Sequence, residues 1–271
     1  MSESCDHSLS LAAALSKINA LYGNGEGVAE VVAVGRPAIP ALRDILFQGE
    51  PSGLYQVRCR AAQALGLLGA FDILEEFLRG PRRGDPVERL GDDVVVSAAA
   101  RAIARRKDER THKLLCDLTR AHPLNGLIAA LGSFRRSEAI PILIGALDED
   151  EVRQTAEAAL SSFGSDAWPF LLDAADHFKC ENDVSESRLR KYRSVLSLLG
   201  EVSLNPEDLK RLRPLLTNAD LQVSLLACRV ALRSESKLAR IEACARLRYL
   251  RQRASWLERL QIDQYLALVN A

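Results

Sequence analysis

The sequence predicts an all-α protein built as a row of antiparallel helix pairs, an α-solenoid. Three observations predict it. Apolar residues recur at helical spacing, and strand-like runs such as Val94-Val95-Val96 are short and pass into alanine-rich helix. Hydrophobic residues make up 48% of the 271 but aromatics only 5%, so the apolar content suits helices packed through Leu, Ala, Val and Ile. One helix–turn–helix segment also recurs along the chain, the mark of a repeat architecture.

Residues 1–8 are expected to be a disordered tail, and residues 9–270 a single array. A first helix is predicted from Leu11 to Leu21. The loop Gly23-Asn24-Gly25-Glu26-Gly27 follows it. That loop follows a helix rather than a strand and lacks a Lys-Ser/Thr, so it is not a phosphate loop. IPALRDIL (39–46) opens a hairpin, QGEPSGLYQ is inserted, and VRCRAAQALGLLG (57–69) closes it. The segment 79–93, rich in Gly, Pro and charge, is expected to be irregular, and VVVSAAARAIA (94–104) to be another second helix.

The clearest copy is residues 140–164. Ile140, Leu143, Ile144 and Leu147 share one helical face, and Val152, Ala156, Ala159, Leu160 and Phe163 share another. Asp148, Glu149 and Asp150 fill the turn, where they are expected to cap the second helix, and Gly164 ends it. WPFLLDAA (168–175) begins a further first helix. RLRPLLTNADLQVSLLACRVAL (211–232) forms a hairpin with Asp220 at its turn. Gly132, Gly164 and Gly200 are further helix stops, and a hinge between sub-arrays is expected near 177–188. One hairpin cannot cover both of its apolar sides, so neighbouring pairs must stack.

The pattern Pro-x-Leu, acidic turn, Val-Arg, then alanine-rich helix ending at Gly resembles HEAT repeats of the phycobilisome-lyase type. It is close at 140–164, good at 39–69 and degenerate elsewhere, so the diagnostic motif spans about a quarter of the array. The resemblance implies the fold and leaves function open, because such repeats serve many tasks. It implies that Arg58 and Arg153 are structural, each paired with an acidic turn residue. It also admits a bilin lyase-like subunit and an alkyl-base glycosylase-like DNA binder. A third setting it admits is a bacterial regulatory, toxin-neutralising or defence-associated protein.

The residues argue against several chemistries. The cysteines at 5, 59, 116, 180, 228 and 244 form no CxxC pair, which predicts reduced thiols rather than zinc or a disulfide framework. No His-Glu dipeptide exists, and none of His7, His112, His122 and His177 lies four residues from another. No metal or other cofactor is therefore expected. Asp166 with Trp168, or Trp256 near Arg253, could imitate a glycosylase site, but a DNA enzyme of this size should be basic and the isoelectric point is 6.9. The polar opening MSESCDHSLS lacks signal-peptide features, and no apolar run is long enough to cross a bilayer, which predicts a cytoplasmic protein.

Net charge is zero but unevenly distributed. Residues 1–54 carry −3, residues 55–140 carry +4, residues 141–187 carry −9 and residues 188–271 carry +8. Either a partner of matching polarity binds these blocks, or they neutralise each other across the stack. The resulting expectation is a non-catalytic scaffold that binds another protein along a concave face lined by second helices. Contacts are expected at Arg60, Gln63, Arg101, Arg105, Gln154, Glu157 and Arg229. The competing reading is nucleic acid bound by the basic stretch 229–253 through Arg246, Arg248, Arg251 and Arg253.

Overall fold

Every regular element among the described residues is a helix. The computed structural model describes residues 11–18, 26–49, 55–177 and 185–270. The expected tail 1–8, most of the glycine loop and part of the expected hinge lie outside them. The chain divides into two compact units, Met1–Phe134 and Arg135–Ala271. The expected hinge near 177–188 falls inside the second of these.

In the first unit the helices are α1 (11–18), α2 (Glu26–Val34), α3 (Ile39–Gln48), α4 (Tyr55–Leu67), α5 (Phe71–Arg79), α6 (Pro86–Ile103), α7 (Glu109–Ala121) and α8 (Asn125–Gly132). Second helices stack in a row, α2 on α4 on α6 on α8, while α3 packs on both α4 and α5. The central contact is alanine-rich: Ala61, Ala62 and Leu65 of α4 are fully buried, as are Val95, Ala99 and Ile103 of α6. Small side chains let these backbones approach. At Gly126 of α8 a Cβ would sit 2.2 Å from the Ser97 backbone of α6, so only glycine fits there.

One expectation is corrected here. Residues 79–93 are not irregular throughout, because α6 begins at Pro86. Asp85 takes the N-cap, accepting hydrogen bonds from the amides of Val87 (2.9 Å) and Glu88 (3.0 Å), and Pro86 needs no amide partner at the first helical position. The Gly-Pro composition concealed a start signal, Asp-Pro-Val-Glu.

The second unit holds α9 (Ile140–Ala146), α10 (Arg153–Phe163), α11 (Trp168–His177), α12 (Glu186–Leu199), α13 (Pro206–Leu212), α14 (Leu221–Leu232), α15 (Lys237–Arg251) and α16 (Trp256–Asn270). Here α10, α12, α14 and α16 form the second-helix row, and α9, α11 and α13 form the first-helix row. All nine apolar positions assigned to the two faces of 140–164 are buried. Gly164 ends α10 at φ +57, a conformation that only glycine adopts cheaply.

A second correction concerns the acidic turn. Asp148, Glu149 and Asp150 do not cap α10, whose N-cap is Val152 with no side-chain bond. Two of the three carboxylates pair with cations instead: Asp150 with Arg153 and Arg190, and Asp148 with Lys191. Asp220 does cap α14, accepting from the Val223 amide at 2.8 Å.

Candidate functional site

The second-helix row carries a shallow groove in each unit. In the first unit it runs between α4 and α6 and is lined by Cys59, Arg60, Gln63, Ala98, Arg101 and Arg105. All four contact residues expected for this part of the chain therefore meet in one place. The reason is helical register. Arg60 and Gln63 lie three apart on α4, Arg101 and Arg105 four apart on α6, and each helix turns its alanines inward.

Arg60 is anchored, donating from Nη1 to the Ile18 carbonyl at 2.7 Å. Arg101 and Arg105 are exposed and carry no ion pair among the described residues. Cys59 lies at the base of the groove, half-buried. Burial raises its thiol pKa although Arg101, Arg58 and Arg60 pull the other way, so it is not an activated nucleophile. Cys228 is buried in α14 and its thiol is pushed up to about 12.

The second unit's groove lies between α10 and α12 and has the opposite sign. Gln154, Glu157, Ser161, Ser197 and Glu201 line it. Gln154 and Glu157 were expected. Glu201 and Ser161 were missed; the signal for Ser161 was its place four residues after Glu157 on α10. Arg229 lies on α14, the next helix in the row, with its side chain against Gly200. Neither groove is a deep enclosed pocket, and among the described residues no cluster of His, Cys, Asp or Glu could hold a metal ion.

The C-terminal arginines do not form one free cationic patch. Arg251 is held by Asp263 at 2.7 Å. Arg246 and Arg253 flank the Tyr249 ring at 5.2 and 5.0 Å, and Arg246 also donates to the Ser224 hydroxyl at 3.3 Å. Arg248 alone of the four lies in an open strip, beside Lys237 and Arg240.

The acidic and basic blocks of the second unit neutralise each other to a large extent. Arg211 bridges Asp173 and Asp176, Arg193 bridges Glu186 and Asp220, and Lys191 reaches Asp148 at 2.7 Å. Acidic residues from one helix pair meet cations of the next, so the charge blocks serve the stack itself.

Both Val-Arg arginines are structural. Arg58 is 1% exposed and donates to the Leu46 carbonyl (3.0 Å) and to Asp92 (2.9 Å). Its partner is thus an acid on α6 rather than one in its own turn. Arg153 donates to the Leu147 carbonyl (2.8 Å) and pairs with Asp150, as expected.

No family model matches the chain, and no curated protein matches it. Among solved structures, the crystal structure of an engineered protein from the Northeast Structural Genomics Consortium aligns with 96% of this chain and 74% of its own. The TM-score is 0.45 and the identity 16%. No helix among the described residues is long and apolar enough to cross a membrane.

Proposed function

We propose that the chain is a HEAT-type scaffold that binds another protein along its second-helix rows and performs no chemistry of its own. One observation carries this reading. Arg101 and Arg105 are exposed, carry no ion pair among the described residues, and face one groove together with Arg60, Gln63 and small residues of α4 and α6. Leaving two cations unsatisfied on a rigid helix gives the protein no stability, but it presents a ready electrostatic contact to a partner.

The grooves are shallow and open, which suits an extended polypeptide better than a small substrate. Binding would weaken as salt rises, since these contacts are solvent-exposed. The test is a charge reversal, Arg101→Glu with Arg105→Glu, compared with the native chain in affinity purification. Loss of a stoichiometric protein partner supports the reading, and indifference to the reversal counts against it. Nucleic acid is the weaker alternative, because three of the four C-terminal arginines it would use have intramolecular contacts.

A further inference from the structure

The second unit carries another surface, on its first-helix side, that the row grooves do not use. There α13, the 3-10 turn after it (Arg213–Thr217), α14 and α15 enclose an apolar cleft of about 130 Å³. Leu209, Leu212, Leu216, Ala231 and Ala239 form its walls and Leu238 its rim. A cavity of this scale takes a group about the size of benzene. It is well below the roughly 300 Å³ of the smallest ordinary cofactor sites. One large apolar side chain fits that description.

Beside the cleft, α15 buries Ala243, Leu247 and Leu250 but leaves Leu238 and Ile241 64% and 66% exposed. At helical spacing Leu238, Ile241 and Ala245 form a ridge next to the cleft, and Lys237, Arg240 and Arg248 form the ridge's far flank. These three cations carry no ion pair or side-chain hydrogen bond among the described residues. Nearby arginines do: Arg213 is held by Glu242 and Arg251 by Asp263. An apolar cleft, an exposed aliphatic ridge and an unpaired basic flank thus lie in sequence across one helix.

We propose that this face docks an acidic amphipathic helix of a partner protein. One large apolar side chain of that helix seats in the cleft, a second lies on the Leu238–Ile241 ridge, and its carboxylates meet Lys237, Arg240 and Arg248. This is helix-in-groove recognition, with apolar anchors for affinity and charge for orientation. Phosphates gain nothing from the cleft or the aliphatic ridge beside it, which disfavours nucleic acid.

The experiment is selection from a displayed library of peptides of about 16 residues, roughly four helical turns. The full chain is the bait and its Ile241→Asp variant the subtractive control. Enriched peptides should be acidic, with Leu, Phe or Trp at i and i+3 or i+4. A labelled enriched peptide, measured by fluorescence anisotropy, should bind at least about tenfold more weakly to Leu238→Asp or Ile241→Asp. It should bind about fivefold more weakly to the double variant Arg240→Glu with Arg248→Glu. Arg101→Glu with Arg105→Glu should leave it unchanged, so failure of this proposal and failure of the row-groove reading are separable.

Circular dichroism melts establish that each variant folds, and Ile241→Ser replaces any that does not. No enrichment, enrichment of basic or neutral peptides, or affinity indifferent to these substitutions overturns the proposal. Binding of phosphatidylserine vesicles or a short single-stranded oligodeoxynucleotide that the peptide cannot displace, and that the same variants abolish, also overturns it.

Discussion

The helices that open with Val-Arg, at 57–69 and at 152–164, begin from nearly the same sequence and end in different physical situations. Each arginine donates from Nε to a carbonyl near the end of the preceding helix, Leu46 or Leu147. The remaining nitrogens then diverge. Arg58 is buried and spans to Asp92 on the next second helix, its guanidinium over the Phe77 ring at 5.6 Å from the centroid. Arg153 stays half-buried and turns to Asp150 in its own loop. The motif therefore specifies one hydrogen bond, and the neighbouring repeat decides whether the arginine is a lateral bolt or a local clasp. The row grooves above these helices differ in the same way, basic in the first unit and acidic in the second.

Several substitutions break or sharpen this comparison. The largest effect should come from Gly126→Ala, which places a Cβ against the Ser97 backbone and forces α6 and α8 apart. A loss of about 4 kcal/mol is expected in denaturant titration, carried by the transition that reports the first unit. Arg58→Met should cost about 3 kcal/mol, because Asp92 remains buried without its closest cation. Arg153→Met, at the matching position, should cost no more than about 1 kcal/mol, since Asp150 is exposed and retains Arg190. Equal losses at the two positions would contradict the bolt-and-clasp distinction.

A pH experiment sharpens it further. Glu75 is buried on α5, and burial alone would push its carboxyl pKa up. Hydrogen bonds from Arg106, Arg110 and Arg79 outweigh that and hold it below the usual 4.5. A carboxyl lowered in the folded state contributes stability above its unfolded pKa, and that stability is lost as pH falls through the folded value. The stability gap between the native chain and Glu75→Gln should thus be full at neutral pH and shrink as pH falls below the usual carboxylate range. A gap that does not vary with pH would remove the charge from the explanation.

A smaller effect should follow Glu157→Lys with Glu201→Lys, which reverses the acidic groove without touching the core. Stability should change by no more than about 0.5 kcal/mol, as for exposed sites generally. Capture of the same partner should nevertheless weaken, and become less sensitive to salt if that groove contributes.

Much of the fold was legible because burial writes itself into spacing. The faces of 140–164, the Gly69, Gly132, Gly164 and Gly200 stops and the 63 residues between the first two, filled by two hairpins, are local consequences of helical period. What was not legible depended on competition. Asp148 and Asp150 could cap a helix or pair with cations; besides the expected Arg153, the cations that hold them, Arg190 and Lys191, lie about forty residues away. Asp85 was hidden by the composition around it. The contact residues of the basic groove were readable because two helices supply them at fixed register. Glu201 was not, because it sits just past a helix end.

The central claim is that the unpaired arginines of the first unit's groove are there to hold a protein partner. The most direct test compares affinity purification from native lysate with the intact chain and with Arg101→Glu plus Arg105→Glu, at low and moderate salt. The account predicts one stoichiometric protein with the intact chain at both salts, and its loss from a variant that melts as the native protein does. An empty column, or the same protein held equally by the reversed groove, would contradict it.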